Sequence, residues 1–437
     1  MERREFLKES MTASLVLGAL AGGEAANAQT PAPAAKKKDD DLIPGDPVKF
    51  GVIGIGPQGR EIMTSLSKIH SGKAQVVSYC DTYKAPVLQK KAAAIVPSAA
   101  FTDDYRRILD DKSIQAIFIA TPSHQHKQIV IDAIAAGKHV YCEAPLATDL
   151  SEALDIARAG KNAKTIFMPG LQIRSNKQHE HVLKFVRSGA LGKLVMSRAQ
   201  HHDRTSWRQG HPDPAREKEL NWRLARATSS GLIGEIGIHQ IDTATWFTKS
   251  LPLSVSGASS LLGYKDGRDV PDTVSCVIEY PNNVSFSYDA TLVNSFDSSY
   301  ETFYGSNCAI QLRDQRAWMF KETDSSLLGW EVYARKDEMQ IGNPDKGSGL
   351  KLGTGIALVA DATKQLAQGV QPGSVGTDVT KTALYQACWN FTNAINTGKK
   401  LDVGATEGYH ATVIANKANE AVLTGAKIVF EQKWFEI

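Results

Sequence analysis

The chain contains 437 residues, of which 42% are hydrophobic and 22% are charged, and its formal net charge is +3. These proportions are ordinary for a globular protein, and the length exceeds what one hydrophobic core usually serves, so we expect two domains. The weak net charge excludes a protein built to bind a polyanion, and we expect no nucleic-acid partner.

The first 28 residues have the order of a secretory signal. Arg3 and Arg4 lie in a charged segment, an apolar run follows over 11–23, and an Ala-Asn-Ala cleavage site ends at Ala28. The run is too short to span a bilayer, and the arginine pair resembles a twin-arginine signal. We therefore predict a signal peptide over 1–28, a linker over 29–46, periplasmic or secreted localisation and no membrane span. The alternative is a disordered basic tail.

A glycine-rich turn follows the first apolar strand pattern at 48–53. The turn is Gly54-Ile55-Gly56-Pro57-Gln58-Gly59, and apolar residues with helical spacing follow it over 60–69. Strand, glycine turn and helix in this order predict a dinucleotide-binding domain, in which Gly54 forms the turn, Gly56 admits the pyrophosphate and Gly59 allows close packing. The helix N-terminus then binds the phosphates, and Pro57 and Gln58 belong to the same cofactor-binding turn.

A carboxylate at the end of the second predicted strand favours NAD. Asp81 directly follows an apolar stretch at 74–80. A carboxylate in this position accepts hydrogen bonds from the ribose hydroxyls and repels a 2′-phosphate, so we predict NAD over NADP. Arg60 and Lys84 are the nearby cations that would admit NADP. The alternative is that Asp81 only caps the following helix.

Strands continue to alternate with helices through the first part of the chain. Helical spacing at 105–109 and 128–136 accompanies apolar strands at 116–120 and 138–142. This alternation predicts an α/β Rossmann domain over 47–165, with a doubly wound parallel sheet that binds ligands at the carboxyl ends of its strands. Four residues that follow strands are therefore candidates for cofactor binding: Thr121, Pro122, Ser123 and Glu143.

Four motifs in this order resemble the glucose–fructose oxidoreductase, inositol dehydrogenase and rhizopine-catabolism (Gfo/Idh/MocA) family. They lie at 54–59, 120–126 (Ala-Thr-Pro-Ser-His-Gln-His), 137–147 and 234–242 (Gly-Glu-Ile-Gly-Ile-His-Gln-Ile-Asp). The resemblance implies hydride transfer at ring hydroxyls of sugars or cyclitols, and it adds His126 to the cofactor-binding candidates. It also implies a C-terminal α+β domain with an open, mainly antiparallel sheet that often forms homodimers or homotetramers.

The residues after 166 agree with this second domain, which we predict over 166–437. Alternating stretches at 273–280 and 284–289 flank Pro281-Asn282-Asn283, which indicates a hairpin, and helical patterns return at 380–397 and 408–424. The five cysteines show no Cys-x-x-Cys spacing, and we expect buried thiols: Cys80, Cys142, Cys276, Cys308 and Cys388.

His239 is the candidate acid–base residue. If the segment is helical, Glu235, His239 and Asp242 lie on one face. By the resemblance, His239 accepts the hydroxyl proton as hydride leaves for NAD, and Glu235 replaces the usual aspartate, orients the ring and stabilises the imidazolium. The alternatives are a hydrogen-bonded core histidine and a structural role for Asp242.

Basic and aromatic residues predict a sugar pocket, in which an aromatic face packs on a sugar ring while arginine and histidine donate to hydroxyls. The set comprises Arg174, His201, His202, Arg204, Trp207, Trp222 and Arg223. From it we take Arg174, His202, Trp222 and Arg223 as substrate-binding candidates, and the basic character also favours an acidic sugar. His201-His202-Asp203 has no second ligand cluster beside it, so we predict no metal.

Ala144 stands where the family typically has lysine in a Glu-Lys-Pro motif. That lysine lies beside the reacting hydroxyl and helps with proton transfer, which alanine cannot do. Three interpretations are open. His239 acts alone, Tyr141 or Arg174 replaces the lysine, or the reaction is not a simple dehydrogenation.

The third interpretation has a precedent in related NAD-dependent glycosidases, which also lack the lysine. They oxidise C3 of the sugar, eliminate the glycosidic oxygen, add water and return the hydride, but the tyrosine they use has no match at 168–174. We predict an exported oxidoreductase that transfers hydride between a ring carbon of a sugar or glycoside and tightly bound NAD. The NAD-dependent glycosidase is the first alternative, and a non-catalytic sugar-binding protein is the second.

Overall fold

The structure is a computed structural model that describes residues 43–313, 315–326, 336–341, 350–358 and 381–437. The predicted signal peptide over 1–28 and the linker up to residue 42 lie outside the described residues.

The first sheet has six parallel strands in the order β3-β2-β1-β4-β5-β6. They are β1 (Val48–Ile53), β2 (Ala74–Cys80), β3 (Ala100–Thr102), β4 (Ala116–Ile119), β5 (His139–Cys142) and β6 (Phe167–Pro169). The predicted doubly wound sheet is confirmed, and the strand order reverses between β1 and β4, where ligands bind in such sheets. β6 lies just beyond the predicted domain end at residue 165, because a three-residue strand leaves too short a pattern to recognise.

Helices connect the strands of this sheet and pack against it. They are α1 (Pro57–Ser67), α2 (Pro86–Ile95), α3 (Tyr105–Asp110), α4 (His126–Ala135) and α5 (Leu150–Asn162). All four residues of β4 are buried, which explains why its sequence is a continuous apolar run without alternation.

Within the residues that the structure describes, the second sheet has ten strands in the order β14-β15-β13-β12-β11-β7-β10-β9-β8-β16. They are β7 (Leu194–His202), β8 (Ser254–Ser260), β9 (Thr273–Tyr280), β10 (Val284–Thr291), β11 (Ser299–Gly305), β12 (Cys308–Arg313), β13 (Arg316–Lys321), β14 (Lys336–Ile341), β15 (Leu350–Ala357) and β16 (Ile428–Val429). β7 and β10 are parallel, and every other neighbouring pair is antiparallel. The predicted open, mainly antiparallel sheet and its β9–β10 hairpin are confirmed.

Further helices follow β6, and all of them pack on one or both of the two sheets except the helix at Pro214–Leu220, which has no buried residue. They are α6 (Lys177–Ser188), α7 (Pro214–Leu220), α8 (Ile238–Thr248), α9 (Ala383–Thr397) and α10 (Ala405–Thr424), and a π-helix, Ile233–Gly237, precedes α8. Phe391 of α9 joins the core of the first sheet, with ring centroids 5.4 Å from Phe118 and 6.0 Å from Tyr141. The two halves of the chain therefore share a core across the predicted 165/166 boundary.

All five cysteines are buried and free, as predicted. In the part of the chain that the structure describes, no helix is both long and apolar enough to span a membrane.

Candidate active site

The glycine turn has the shape that a dinucleotide requires. Gly54 has φ of +89°, and a Cβ on Gly59 would lie 1.9 Å from the Gly54 carbonyl oxygen, so both positions require glycine. A Cβ on Gly56 would have no protein atom within 4 Å. Gly56 therefore borders open space in front of α1, whose first residue is Pro57.

Asp81 fixes the backbone around this turn. One carboxylate oxygen accepts the Ile55 N–H at 3.0 Å, and the other accepts the Tyr83 N–H at 2.8 Å. The N-cap of α2 is Ala85, so the alternative in which Asp81 caps the next helix is wrong. Each oxygen keeps acceptor capacity for a ribose hydroxyl.

Glu143 directly follows β5, and its carboxylate is buried beside the glycine turn. Gln58 Nε2 donates to Glu143 Oε1 at 2.9 Å, and a Cβ on Gly170 would lie 2.6 Å from Oε2. Burial raises the pKa of Glu143 to about 7. The hydrogen bonds from Gln58 and the Ala144 backbone, and the charge of Arg223, act in the opposite direction and lower it. The carboxyl group therefore gains and loses a proton close to neutral pH.

His126 has a different role from the predicted one. Its ring is 1% exposed, with Nε2 3.0 Å from the Thr121 carbonyl oxygen and Nδ1 3.1 Å from that of Pro145. Because carbonyl groups surround both nitrogens, we correct its role from cofactor binding to holding together the loops that follow β4 and β5. The Ala144–Pro145 peptide in the second loop is cis.

The loop after β4 also contacts the second domain. Ser123 Oγ donates to Glu235 Oε2 at 3.1 Å, while Glu235 Oε1 accepts from Ser230 N at 3.2 Å and Ser229 Oγ at 3.3 Å. Burial raises the pKa of Glu235. Among the described residues no hydrogen bond joins Glu235 to His239, so we correct the predicted orienting role. Glu235 instead joins the two domains at the carboxyl end of β4.

His239 follows the π-helix on α8 and has an unsatisfied ring nitrogen. Its Nδ1 is buried with no hydrogen-bond partner among the described residues, which does not fit the alternative of a hydrogen-bonded core histidine. Burial lowers its pKa to about 4, and His201 adds to this effect. The imidazole is therefore neutral near pH 7, the form that accepts a proton.

Asp242 and Arg174 form a buried pair. Arg174 Nε and Nη2 each donate to the Asp242 carboxylate at 2.8 Å, and the guanidinium lies 5.5 Å from the Trp246 ring centroid. A bidentate pair of this kind is strong and holds both side chains in place. The structural interpretation of Asp242 is supported, and we correct Arg174 from sugar binding or lysine replacement to structural support.

His202 lies on the wrong face of its strand for the predicted role. Successive side chains alternate across β7, and the same face as His202 carries Arg198. His202 Nε2 lies 2.6 Å from Asp289 Oδ2, and Arg198 contacts the same carboxylate. The buried Ala199 shares its face with His201, the histidine whose charge affects His239. His201, rather than His202, is therefore the histidine that acts on His239.

Arg223 lies against two tryptophan rings and acts electrostatically on the two buried carboxyl groups, Glu143 and Glu235. The Arg223 guanidinium lies 4.9 Å from the Trp222 ring centroid and 5.7 Å from that of Trp207. Its charge lowers the pKa values of both Glu143 and Glu235. Its buried Nε has no hydrogen-bond partner among the described residues. No ion pair joins Arg223 to either carboxyl group in the described part of the chain, and the acidic sugar stays a prediction.

Tyr141 cannot replace the missing lysine, because it belongs to the core. Its ring is fully buried, with a centroid 4.8 Å from that of Phe118. Within the described ranges, no three His, Cys, Asp or Glu side chains form a group that could hold a metal ion.

The fold and this crevice define a two-domain dinucleotide-binding protein. Residues 48–171 match a family described as "Oxidoreductase family, NAD-binding Rossmann fold", and residues 179–311 match the "GFO/IDH/MocA C-terminal domain". Together the two matches span more than half of the chain, which belongs to the Gfo/Idh/MocA family and has its NAD-binding Rossmann domain.

The site fits this cofactor. Gly56 borders the open space that a pyrophosphate needs, and the buried Thr121 Oγ1 has no hydrogen-bond partner in the described part of the chain. Gly54, Gly56, Gly59 and Thr121 are therefore the residues that the structure best fits to NAD.

Two relatives of this chain have names that indicate different activities. The chain is 29% identical to levoglucosan dehydrogenase of Pseudarthrobacter phenanthrenivorans over 59% of this chain and 65% of the relative. It is 30% identical to a glycosyl hydrolase family 109 protein of Shewanella sp. strain ANA-3 over 51% of this chain and 50% of the relative. The chain thus matches less than two thirds of either relative.

A solved structure of levoglucosan dehydrogenase in complex with NADH and L-sorbose has the same fold. It superposes with a TM-score of 0.69 at 20% identity, covering 89% of this chain and 100% of the other.

Proposed function

We propose that this protein is an NAD-dependent oxidoreductase that transfers hydride between a ring carbon of a sugar or glycoside and the nicotinamide. The hydrogen bond from Ser123 to Glu235 carries this proposal. It holds the segment of His239 at the carboxyl ends of β4 and β5, where the doubly wound sheet binds its ligand. The relatives that act on sugars support the substrate class.

Different side chains transfer the proton and stabilise the charge in this reaction. NAD, when bound, supplies the hydride acceptor. His239, neutral near pH 7, accepts the hydroxyl proton on a ring nitrogen as the C–H hydride leaves. Arg223 supplies the positive charge that Ala144 lacks, and it stabilises the oxygen from which the proton departs. Trp207 and Trp222 fix the guanidinium plane.

A redox-neutral glycosidase is the second candidate function. Ala144 favours it, because the lysine used for simple dehydrogenation is absent, and so does the resemblance to the glycosyl hydrolase family 109 protein. In that reaction the C3 hydride leaves and returns at one site, so no NADH accumulates. A sugar-binding protein without activity is the third candidate.

One experiment separates these candidates. The protein is purified without added cofactor, bound nucleotide is measured, and free sugars and nitrophenyl glycosides are then supplied. A dehydrogenase forms NADH in proportion to the oxidised sugar. A glycosidase releases nitrophenol without net NADH and exchanges the C2 proton with deuterated water. A protein that binds nicotinamide but does neither contradicts both enzymatic proposals.

We also propose export through the twin-arginine route and assembly into a homodimer or homotetramer. The paired Arg3 and Arg4 support the first proposal. The exposed Met196 and Val277 on the outer face of the second sheet support the second. Fractionation of cells that express wild type or an Arg3→Lys, Arg4→Lys variant tests export, and light scattering after gel filtration tests assembly.

A further inference from the structure

A loop of the second domain crosses to the first domain. This loop, residues 209–221, contains α7 and is closed at its neck by a reciprocal pair. The Gln209 N–H donates to Asn221 Oδ1 at 2.8 Å, and Asn221 Nδ2 donates to the Gln209 carbonyl oxygen at 2.8 Å. This pair of hydrogen bonds therefore fixes the distance between the two ends of the loop.

Two side chains of the 209–221 loop contact Tyr83 of the first domain. The Arg216 guanidinium lies 4.3 Å from the Tyr83 ring centroid, and the His211 ring meets it edge-on at 5.5 Å. The Arg216 side chain is only 19% exposed, although most of the loop around it is exposed. A cation held over an aromatic face in this way is attracted to the ring.

This contact lies at the adenosine end of the cofactor crevice. Tyr83 is two residues beyond Asp81, and its N–H donates to the Asp81 carboxylate that faces the glycine turn. Asp81 holds the position from which a Rossmann domain binds the adenosine ribose.

The contact also leaves a donor without a partner. Arg216 Nε is buried and has no hydrogen-bond partner among the residues that the structure describes, although Arg216 Nη1 pairs with Glu219. A buried N–H without an acceptor is costly, and a ribose or adenine atom is the acceptor that this end of the crevice would supply.

We propose that the 209–221 loop is a clasp that closes over the adenosine end of NAD and keeps the cofactor bound between turnovers. The clasp proposal depends on the proposed function only in requiring that the protein binds NAD. It opens when Arg216 leaves Tyr83, so the rate of NAD release depends on this contact. A retained cofactor suits a reaction in which the hydride is returned at the same site.

The rate of NAD release tests the clasp without any sugar. The protein is loaded with NAD, freed of excess nucleotide by gel filtration and chased, and tryptophan fluorescence follows the dissociation. Arg216→Ala and Tyr83→Ala each remove the contact, and we expect release about tenfold faster than from wild type. Tyr83→Phe keeps the ring and should release NAD at nearly the wild-type rate.

Arg106→Ala is the matched control, because Arg106 lies 4.8 Å from the Tyr105 ring centroid in an exposed pair on the first domain. We expect it to leave NAD release unchanged. The clasp is refuted if folded Arg216→Ala and Tyr83→Ala proteins, checked by circular dichroism, release NAD as slowly as wild type. A protein that retains NAD through the clasp but acts on no sugar contradicts the proposed function alone.

Discussion

Glu143 and Ala144 are neighbours with opposite chemical character at the end of β5. Glu143 is a buried carboxyl group with a pKa of about 7, whereas Ala144 can neither donate nor accept a proton. The positive charge that acts on Glu143 comes from Arg223, on a segment of the second domain. The cation of this site is therefore supplied from across the crevice rather than from the strand end.

Replacing Glu143 with glutamine should stabilise the cofactor-free protein at high pH. The folded-state pKa is raised from 4.5 to about 7, so the protonated carboxyl contributes stability at low pH, and this contribution is lost as the pH rises through 7. Glu143→Gln keeps an acceptor for Gln58 and removes the buried charge. We expect its advantage over wild type in urea unfolding to be about 2 kcal/mol larger near pH 8 than near pH 5.

Glu61→Gln, at an exposed position on α1, is the control for this measurement. It replaces an exposed carboxyl group by an amide and so measures the effect of the substitution itself. An advantage of Glu143→Gln that is independent of pH would mean that Glu143 does not titrate between these limits.

Removal of the His239 imidazole should slow turnover without affecting NAD binding. Because His239 is the proposed proton acceptor, His239→Ala should lower kcat about 10²- to 10⁴-fold. His202→Ala is the matched control, since His202 faces Asp289 on the outer side of the sheet and should retain activity. The assignment is wrong if the two variants lose activity equally, or if His239→Ala turns over at the wild-type rate.

Arg223 and a restored lysine should compensate for each other. Arg223→Ala removes the cation proposed to stabilise the alkoxide, and we expect kcat to fall about a hundredfold. Ala144→Lys in the same variant returns a cation from the strand end and should recover part of the loss, whereas Ala144→Lys alone should change kcat little. Steady-state rates of NADH formation measure all three variants. No recovery in the double variant would show that charge is not what Arg223 provides.

At the scale of elements, the glycine turn and the parallel strands were predictable because their signals are local. The turn at Gly54–Gly59 is set by spacing within six residues, and β4 by an unbroken apolar run. Which histidine of β7 faces the site was not predicted, because it depends on the buried face of that strand. The Ser123–Glu235 contact joins residues 112 apart in sequence, and no local pattern specifies such a pair.

Substitutions at two glycines of the turn should affect folding and cofactor binding separately. Gly59→Ala places a Cβ against the Gly54 carbonyl oxygen, so we expect a loss of about 1–3 kcal/mol in the free energy of unfolding. Gly56→Ala meets no protein atom and should unfold like wild type but bind NAD more weakly, because the methyl group occupies the pyrophosphate space. Urea unfolding and NAD titration measure the two effects. Normal NAD binding by Gly56→Ala would place the phosphates elsewhere.

At the scale of the whole molecule, α9 and α10 join the two sheets. Leu146 N donates to Thr412 Oγ1 of α10 at 3.1 Å, and Ser259 Oγ of β8 donates to the Val422 carbonyl oxygen of the same helix at 2.8 Å. Phe391 of α9 completes the aromatic core of the first sheet. The two sheets should therefore unfold together.

Phe391→Ala should destabilise the first domain although it lies in the last part of the chain. The ring is fully buried between residues of the first sheet, and we expect a loss of about 3–5 kcal/mol. Urea unfolding followed both by NAD binding and by far-ultraviolet circular dichroism checks this. A single shifted transition is expected, and two separate transitions would show that the domains are independent.

The position of α9 has a consequence for biosynthesis. The core around β1, β4 and β5 cannot be completed until residues 383–397 have emerged from the ribosome, which happens only when most of the chain has been translated. We therefore expect the core of the nucleotide-binding half to close late in synthesis, and NAD to be retained only after that. If the chain is exported in the folded state, closure by α9 and NAD loading both belong to its time in the cytoplasm.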